Sequence, residues 1–127
     1  MNQLSEKFVQ ECKIKLLNLK GEILNRVRNA KLEFESMDKF GGDEADQTMS
    51  VLAENDFLTA QGRLKEQLLE IELALSRIEQ GRFGVCEETE ETIEVERLRA
   101  LPWTRLSIEG AEIRETSKHR YARQTAR

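Results

Sequence analysis

The sequence predicts a mainly α protein: a long antiparallel coiled-coil hairpin, then a small C-terminal globular module and a C-terminal helix. Three observations lead there. The first eighty residues carry two long proline-free stretches with apolar residues three and four apart. The glycine pair Gly41-Gly42 separates them. Beyond Gly81 the helical period stops, and short apolar runs alternate with turn residues. Composition agrees, since 35% of the 127 residues are charged and only 6% aromatic. That balance suits solvated helices with one buried stripe.

The first helix is predicted from about Gln3 to Met37, with Val9, Cys12, Leu16, Leu19, Ile23, Ala30 and Met37 along its buried stripe. Val27 and Phe34 lie on the adjacent edge, and Arg26 and Glu33 interrupt a strict heptad. Phe40-Gly41-Gly42 ends the helix, because paired glycines turn at low steric cost. Asp43 is a good N-cap for a second helix running to about Gln80, with Glu44 and Asp46 favourably placed against its dipole. Met49, Leu52, Ala60, Leu64, Leu68, Ile71, Leu75 and Ile78 are expected along its buried side, and Gly81 is expected to stop it. Each arm would span roughly 50 Å at the α-helical rise. The hairpin is therefore drawn over residues 1–80 with its tip near 41–48, and the C-terminal module over 81–127.

In that module, Phe83 to Cys86 and Thr92 to Val95 are expected as two short strands around the acidic turn Glu87 to Glu91. Glu96 to Leu101 reads as a short helix stopped by Pro102, and Ser107 as the N-cap of a last helix reaching about Gln124. A module of roughly 45 residues usually needs a metal, a disulfide or outside help to fold. Cys86-x-x-Thr89 and Ser107-x-x-Gly110 repeat the spacing of a zinc ribbon, whose four positions are commonly Cys-x-x-Cys twice. One thiol survives, two positions carry hydroxyls and the fourth has no side chain, so no metal and no other cofactor is expected. Val85, Ile93, Val95, Leu98, Leu101, Trp103, Leu106 and Ile108 are the candidate core that would replace it. Cys86 and Cys12 are expected as free thiols, with Cys86 in the core, and His119 as a surface residue.

The residue order Phe83-Gly84-Val85-Cys86, then Ile93 and Val95, Arg97-Leu98, Ala100, Pro102 and Leu106-Ser107-Ile108-Glu109 resembles the globular domain of the DksA/TraR family. These are bacterial regulators that act on RNA polymerase through its secondary channel. The resemblance implies a zinc-less member with a degenerate zinc ribbon. Family members carry Asp-x-x-Asp-x-Ala at the coiled-coil tip, and this chain has Asp43 and Asp46 with Thr48 in place of the alanine. The resemblance thus implies a tip that reaches the polymerase active site and shifts the stability of promoter open complexes, without sequence-specific DNA binding. The family also binds guanosine tetraphosphate (ppGpp), the stringent-response nucleotide, with basic residues. Arg63 falls on one such position, but Gln67, Glu70 and Ala111 occupy others, so ppGpp synergy is expected to be weak or absent.

Two alternatives share part of this pattern. A transcript-cleavage factor also places acids on a hairpin tip, and a structural coiled-coil adaptor would use Asp43 and Asp46 merely as caps. No nucleophile with a nearby base, phosphate-binding glycine loop or clustered His/Asp/Glu site points to an enzyme. The net charge of −4 offers no general attraction to nucleic acid, although Lys118, Arg120, Arg123 and Arg127 make the tail basic. No apolar run approaches the roughly 20 residues of a membrane span, and Met1 to Lys7 lacks a signal-peptide core. A cytoplasmic protein is expected.

Overall fold

The structure, a computed structural model, describes residues 4–37 and 44–125, with side chains over 4–37 and 47–122. Four helices follow in order: α1 (Glu6–Ser36), α2 (Glu44–Glu79), α3 (Val95–Ala100) and α4 (Ile108–Thr125). The glycine turn at 41–42 and the Asp43 cap lie outside the described residues. No helix is long and apolar enough to cross a membrane among the described residues. By its internal contacts the chain forms two compact units, one of Met1–Leu17 with Glu70–Arg127 and the other Asn18–Leu69.

In the Asn18–Leu69 unit, α1 and α2 run antiparallel. Phe34 stacks on Phe57 with ring centroids 4.3 Å apart, while Gln61 Nε2, one turn further along α2, donates to the Val27 carbonyl at 3.1 Å. The α1 stripe follows the predicted spacing through Leu19, Ile23, Val27, Ala30 and Phe34, but Met37 is exposed. On α2 the phase near the tip differs from expectation. Ser50, Ala53, Phe57 and Gln61 face inward, while Met49, Leu52 and Ala60 face out. The stacked phenylalanines set the rotation of α2, and turning Phe57 inward turns Met49 and Leu52 away.

Gln61 puts an amide in that seam, and its Oε1 is buried without a hydrogen-bond partner. A buried unsatisfied acceptor costs about 1–3 kcal/mol. Gln61→Leu is therefore expected to raise hairpin stability by about 1 kcal/mol, read as a later loss of ellipticity at 222 nm on heating. An unchanged or earlier transition would show that the amide is needed to set the register of the two helices.

The other unit begins with α1, capped by Ser5, whose Oγ accepts from Phe8 N at 3.1 Å. Its buried core gathers Phe8, Cys12 and Leu16 of α1, Ile71 and Ala74 of α2, and Phe83, Cys86, Ile93, Leu98 and Pro102. Lys15 Nζ donates to the Arg99 carbonyl at 2.6 Å, and the Arg99 guanidinium lies 5.4 Å from the Phe8 ring centroid. Of the expected core, Val95 and Ile108 are exposed, because each sits in the first turn of a helix on its outer side. Phe83 and Pro102 are buried in addition.

Gly81 ends α2 as expected. Its φ of 72° places it in the left-handed region, Arg82 N donates to the Arg77 carbonyl at 2.9 Å and Gly81 N to Ile78 O at 3.2 Å. These two bonds satisfy carbonyls that the helix end leaves open. The two expected strands are reduced to a single antiparallel bridge between Val85 and Thr92, and no strand forms among the described residues. The acidic turn leaves too few paired residues on either side. Its backbone bonds are local, with Cys86 N donating to Glu91 O at 2.8 Å and Glu90 N to Cys86 O at 2.9 Å.

Candidate functional site

The four positions with zinc-ribbon spacing come together in space, although two of them lie about twenty residues from the other two in sequence. Ser107 caps α4: its Oγ accepts from Gly110 N at 3.0 Å, and Ala111 N donates to the Ser107 carbonyl at 2.9 Å. The same hydroxyl donates to Cys86 Sγ at 3.4 Å, and Thr89 N donates to that sulfur at 3.5 Å. Cys86 is fully buried, and Ser107 is nearly so. Gly110 completes the cluster by what it lacks. A Cβ at this position would collide with Cys86 Sγ and stand 3.3 Å from Glu88 Cβ and 3.4 Å from Ser107 Oγ.

This donor set does not fit a structural zinc ion, which takes four nitrogen or thiolate ligands in a tetrahedron. Cys86 offers one. The Ser107 hydroxyl is engaged with Gly110 N and the sulfur, the Thr89 hydroxyl accepts from Glu91 N at 3.3 Å, and Gly110 offers nothing. No group of three or more His, Cys, Asp or Glu side chains is placed to hold a metal among the described residues. His119 lies on the exposed face of α4 beside Glu115.

Other bonds fasten the turn and α4 to the rest of their unit. Glu94 accepts the Ile108 N–H at 3.1 Å, placing a carboxylate at the positive end of α4. Arg97 Nε donates to Leu106 O at 2.7 Å, and Glu87 N to Arg105 O at 2.9 Å. Arg114 pairs with Glu88 at 3.1 Å and Glu87 at 3.4 Å, an exposed bridge from α4 to the acidic turn. Arg105 makes a two-pronged pair with Glu70 at 2.6 and 2.9 Å, and Arg77 donates to the Trp103 carbonyl at 3.2 Å. Sequence reasoning missed these braces, because the partners lie 9 to 35 residues apart and nothing local marks them.

The two thiols are tuned in opposite directions. Burial pushes the Cys12 thiol up, and neighbouring Glu11 adds to the shift. Burial also pushes Cys86 up, but the hydrogen bonds from Ser107 and Thr89 outweigh it and bring the thiol from 9.0 down to about 6. A depressed thiol stabilises the fold fully above the unfolded thiol's range, and that contribution is lost as pH falls through about 6. Thiolate absorbance at 240 nm is thus expected to titrate near pH 6 in the native protein. Ser107→Ala should move the midpoint upward, and Cys86→Ala should abolish it; a midpoint unmoved by Ser107→Ala would refute the hydrogen-bond account.

The remaining sequence candidates belong to the Asn18–Leu69 unit, apart from Asp43, which lies outside the described residues. Asp46 stands in the first turn of α2 with its side chain outside the described set. Thr48 and Arg63 are exposed on α2. The basic tail positions Arg123 and Arg127 have no described side chains.

Comparison with known proteins bears on most of the chain. Residues 81–115 match the prokaryotic dksA/traR C4-type zinc finger family. The RNA polymerase-binding transcription factor DksA of Caulobacter vibrioides is 32% identical over 112 residues, covering 88% of this chain and 79% of that protein. General stress protein 16O of Bacillus subtilis is 30% identical, over 84% of this chain and 68% of its own length. Among solved structures, transcription factor DksA2 from Pseudomonas aeruginosa superposes with a TM-score of 0.82 at 29% identity, over 91% of this chain and 88% of the other.

Proposed function

Because this chain belongs to the DksA/TraR family, we propose that it is a transcription regulator that binds RNA polymerase directly, enters the secondary channel and modulates promoter open-complex stability with an acidic tip of Asp43, Asp46 and Thr48. The observation that supports this reading is the nearly end-to-end likeness to a protein whose name states RNA polymerase binding. The tip acts by binding, not by catalysis. Carboxylates at the start of α2 pair with basic groups near the polymerase active site and favour one of its conformational states over another.

Two departures from the family pattern shape the proposal. The protein works without zinc, its module held by apolar packing and by the Cys86-Ser107-Thr89 cluster. It also responds weakly, if at all, to ppGpp. Arg63 is the one basic residue at the corresponding positions, Glu70 adds negative charge, and its carboxylate is already committed to Arg105.

The test is open-complex lifetime on a promoter with purified polymerase. Wild-type protein is expected to shorten the lifetime, and Asp43→Asn/Asp46→Asn to lose most of that effect while still binding polymerase. Added ppGpp should change either result by less than about twofold, well under the tenfold that corresponds to 1.4 kcal/mol. If the tip variant shortens the lifetime like wild type, the acids are helix caps and the regulation acts through other contacts; no binding of the wild-type protein to polymerase would turn the reading to the adaptor alternative.

A further inference from the structure

Near its start, α2 is inside out. The positions facing α1 are Ser50 and Ala53, small or polar, while Met49 and Leu52 are 65% and 52% exposed. Large apolar side chains held in water do nothing for the fold of their own chain, whereas a partner that covers them gains their burial. At 100° per residue, Thr48, Met49, Leu52 and Asp56 fall on one face of the helix. The apolar pair therefore continues directly from Thr48, at the position of the tip motif.

Charge specifies what can cover it. From residue 40 to residue 62 there is no Lys or Arg, while Asp43, Glu44, Asp46, Glu54 and Asp56 are all acidic. A second copy docking face to face would set these acids against each other, a like-charge arrangement that weakens association. A basic surface with an apolar centre would meet both features, since interfaces commonly place apolar anchors inside a charged rim.

We infer that Met49 and Leu52 are an apolar anchor for the polymerase, docking on an apolar patch bordered by Lys and Arg beside the place where the acidic tip acts. This rests on the polymerase-binding reading above. The acids steer and select the conformational state; the apolar pair supplies residence time.

The test compares Met49→Gln/Leu52→Gln with wild type for affinity to purified core polymerase and for open-complex lifetime. Glutamine keeps helix propensity, so the heating curve should not change. Leu58→Gln, equally exposed on the opposite flank of α2, is the control. The double variant is expected to bind about tenfold more weakly, the usual scale for truncating interface anchors, with Leu58→Gln unaffected. Unchanged affinity in the double variant, alongside an altered lifetime in Asp43→Asn/Asp46→Asn, would overturn the anchor and leave the regulator reading standing. Equal weakening by Leu58→Gln would reduce the effect to general stickiness and also overturn it. A wild-type dimer in sedimentation that the double variant dissolves would assign the face to a second copy instead. Failure of the wild-type protein to bind polymerase would overturn both.

Discussion

Phe83→Ala is expected to destabilise the unit that contains the C-terminal module by about 3–5 kcal/mol, the range for removing a buried aromatic ring. Phe83 is among the largest fully buried side chains and shares its core with Ile93, Leu98 and Pro102. Whole domains are stable by only about 5–15 kcal/mol, so this one ring carries a large part of the margin. The effect should be visible at Trp103, the single tryptophan, whose carbonyl holds Arg77 in the same unit. Its fluorescence transition should move to lower denaturant, while a strong chelator leaves the wild-type curve in place. A wild-type transition that collapses with chelator would show that a metal, and not this core, holds the module.

Gly110→Ala sets two effects of opposite sign against each other. Exchanging glycine for alanine inside a helix ordinarily stabilises by roughly 0.5–1 kcal/mol. Here the new methyl would collide with the fully buried Cys86 sulfur. Overpacking of this kind costs about 1–3 kcal/mol, so net destabilisation is expected. Removing the sulfur should remove the conflict, and a Cys86→Ala/Gly110→Ala double-mutant cycle should show a coupling of about 1–2 kcal/mol, within the span found for residues in contact. Additive effects would mean that the helix end shifts to admit the methyl. At the fourth position of the spacing, the absence of a side chain makes room for the Cys86 thiol.

Much of this architecture was legible in the chain. The three-and-four spacing of Leu16, Leu19, Ile23 and Leu64, Leu68, Ile71 marks two helices. Gly81 marks the end of the second, and Ser107 the start of the last. The spacings Cys86-x-x-Thr89 and Ser107-x-x-Gly110 each marked a turn-sized pair, and the fold brings the two pairs together. These signals are local: each depends on residues within one or two turns, where backbone geometry alone relates sequence distance to spatial distance. The expected strands failed for a local reason too, since β propensity around Val85 and Ile93 yields little without a partner strand long enough to pair.

The sequence by itself therefore determined the helices, the stop at Gly81, the start at Ser107 and the family to which the chain belongs. Tertiary structure alone decided which face of α2 is buried near its start. Met49 and Leu52 are more apolar than Ser50 and Ala53, yet the stacking of Phe34 on Phe57 and the Gln61 bond to the Val27 carbonyl go with the other face being buried. It also decided that Glu70 answers Arg105 and that Gly110 answers Cys86. Those pairings join residues 24 to 35 positions apart, and periodicity, which relates only near neighbours, has no means of expressing them.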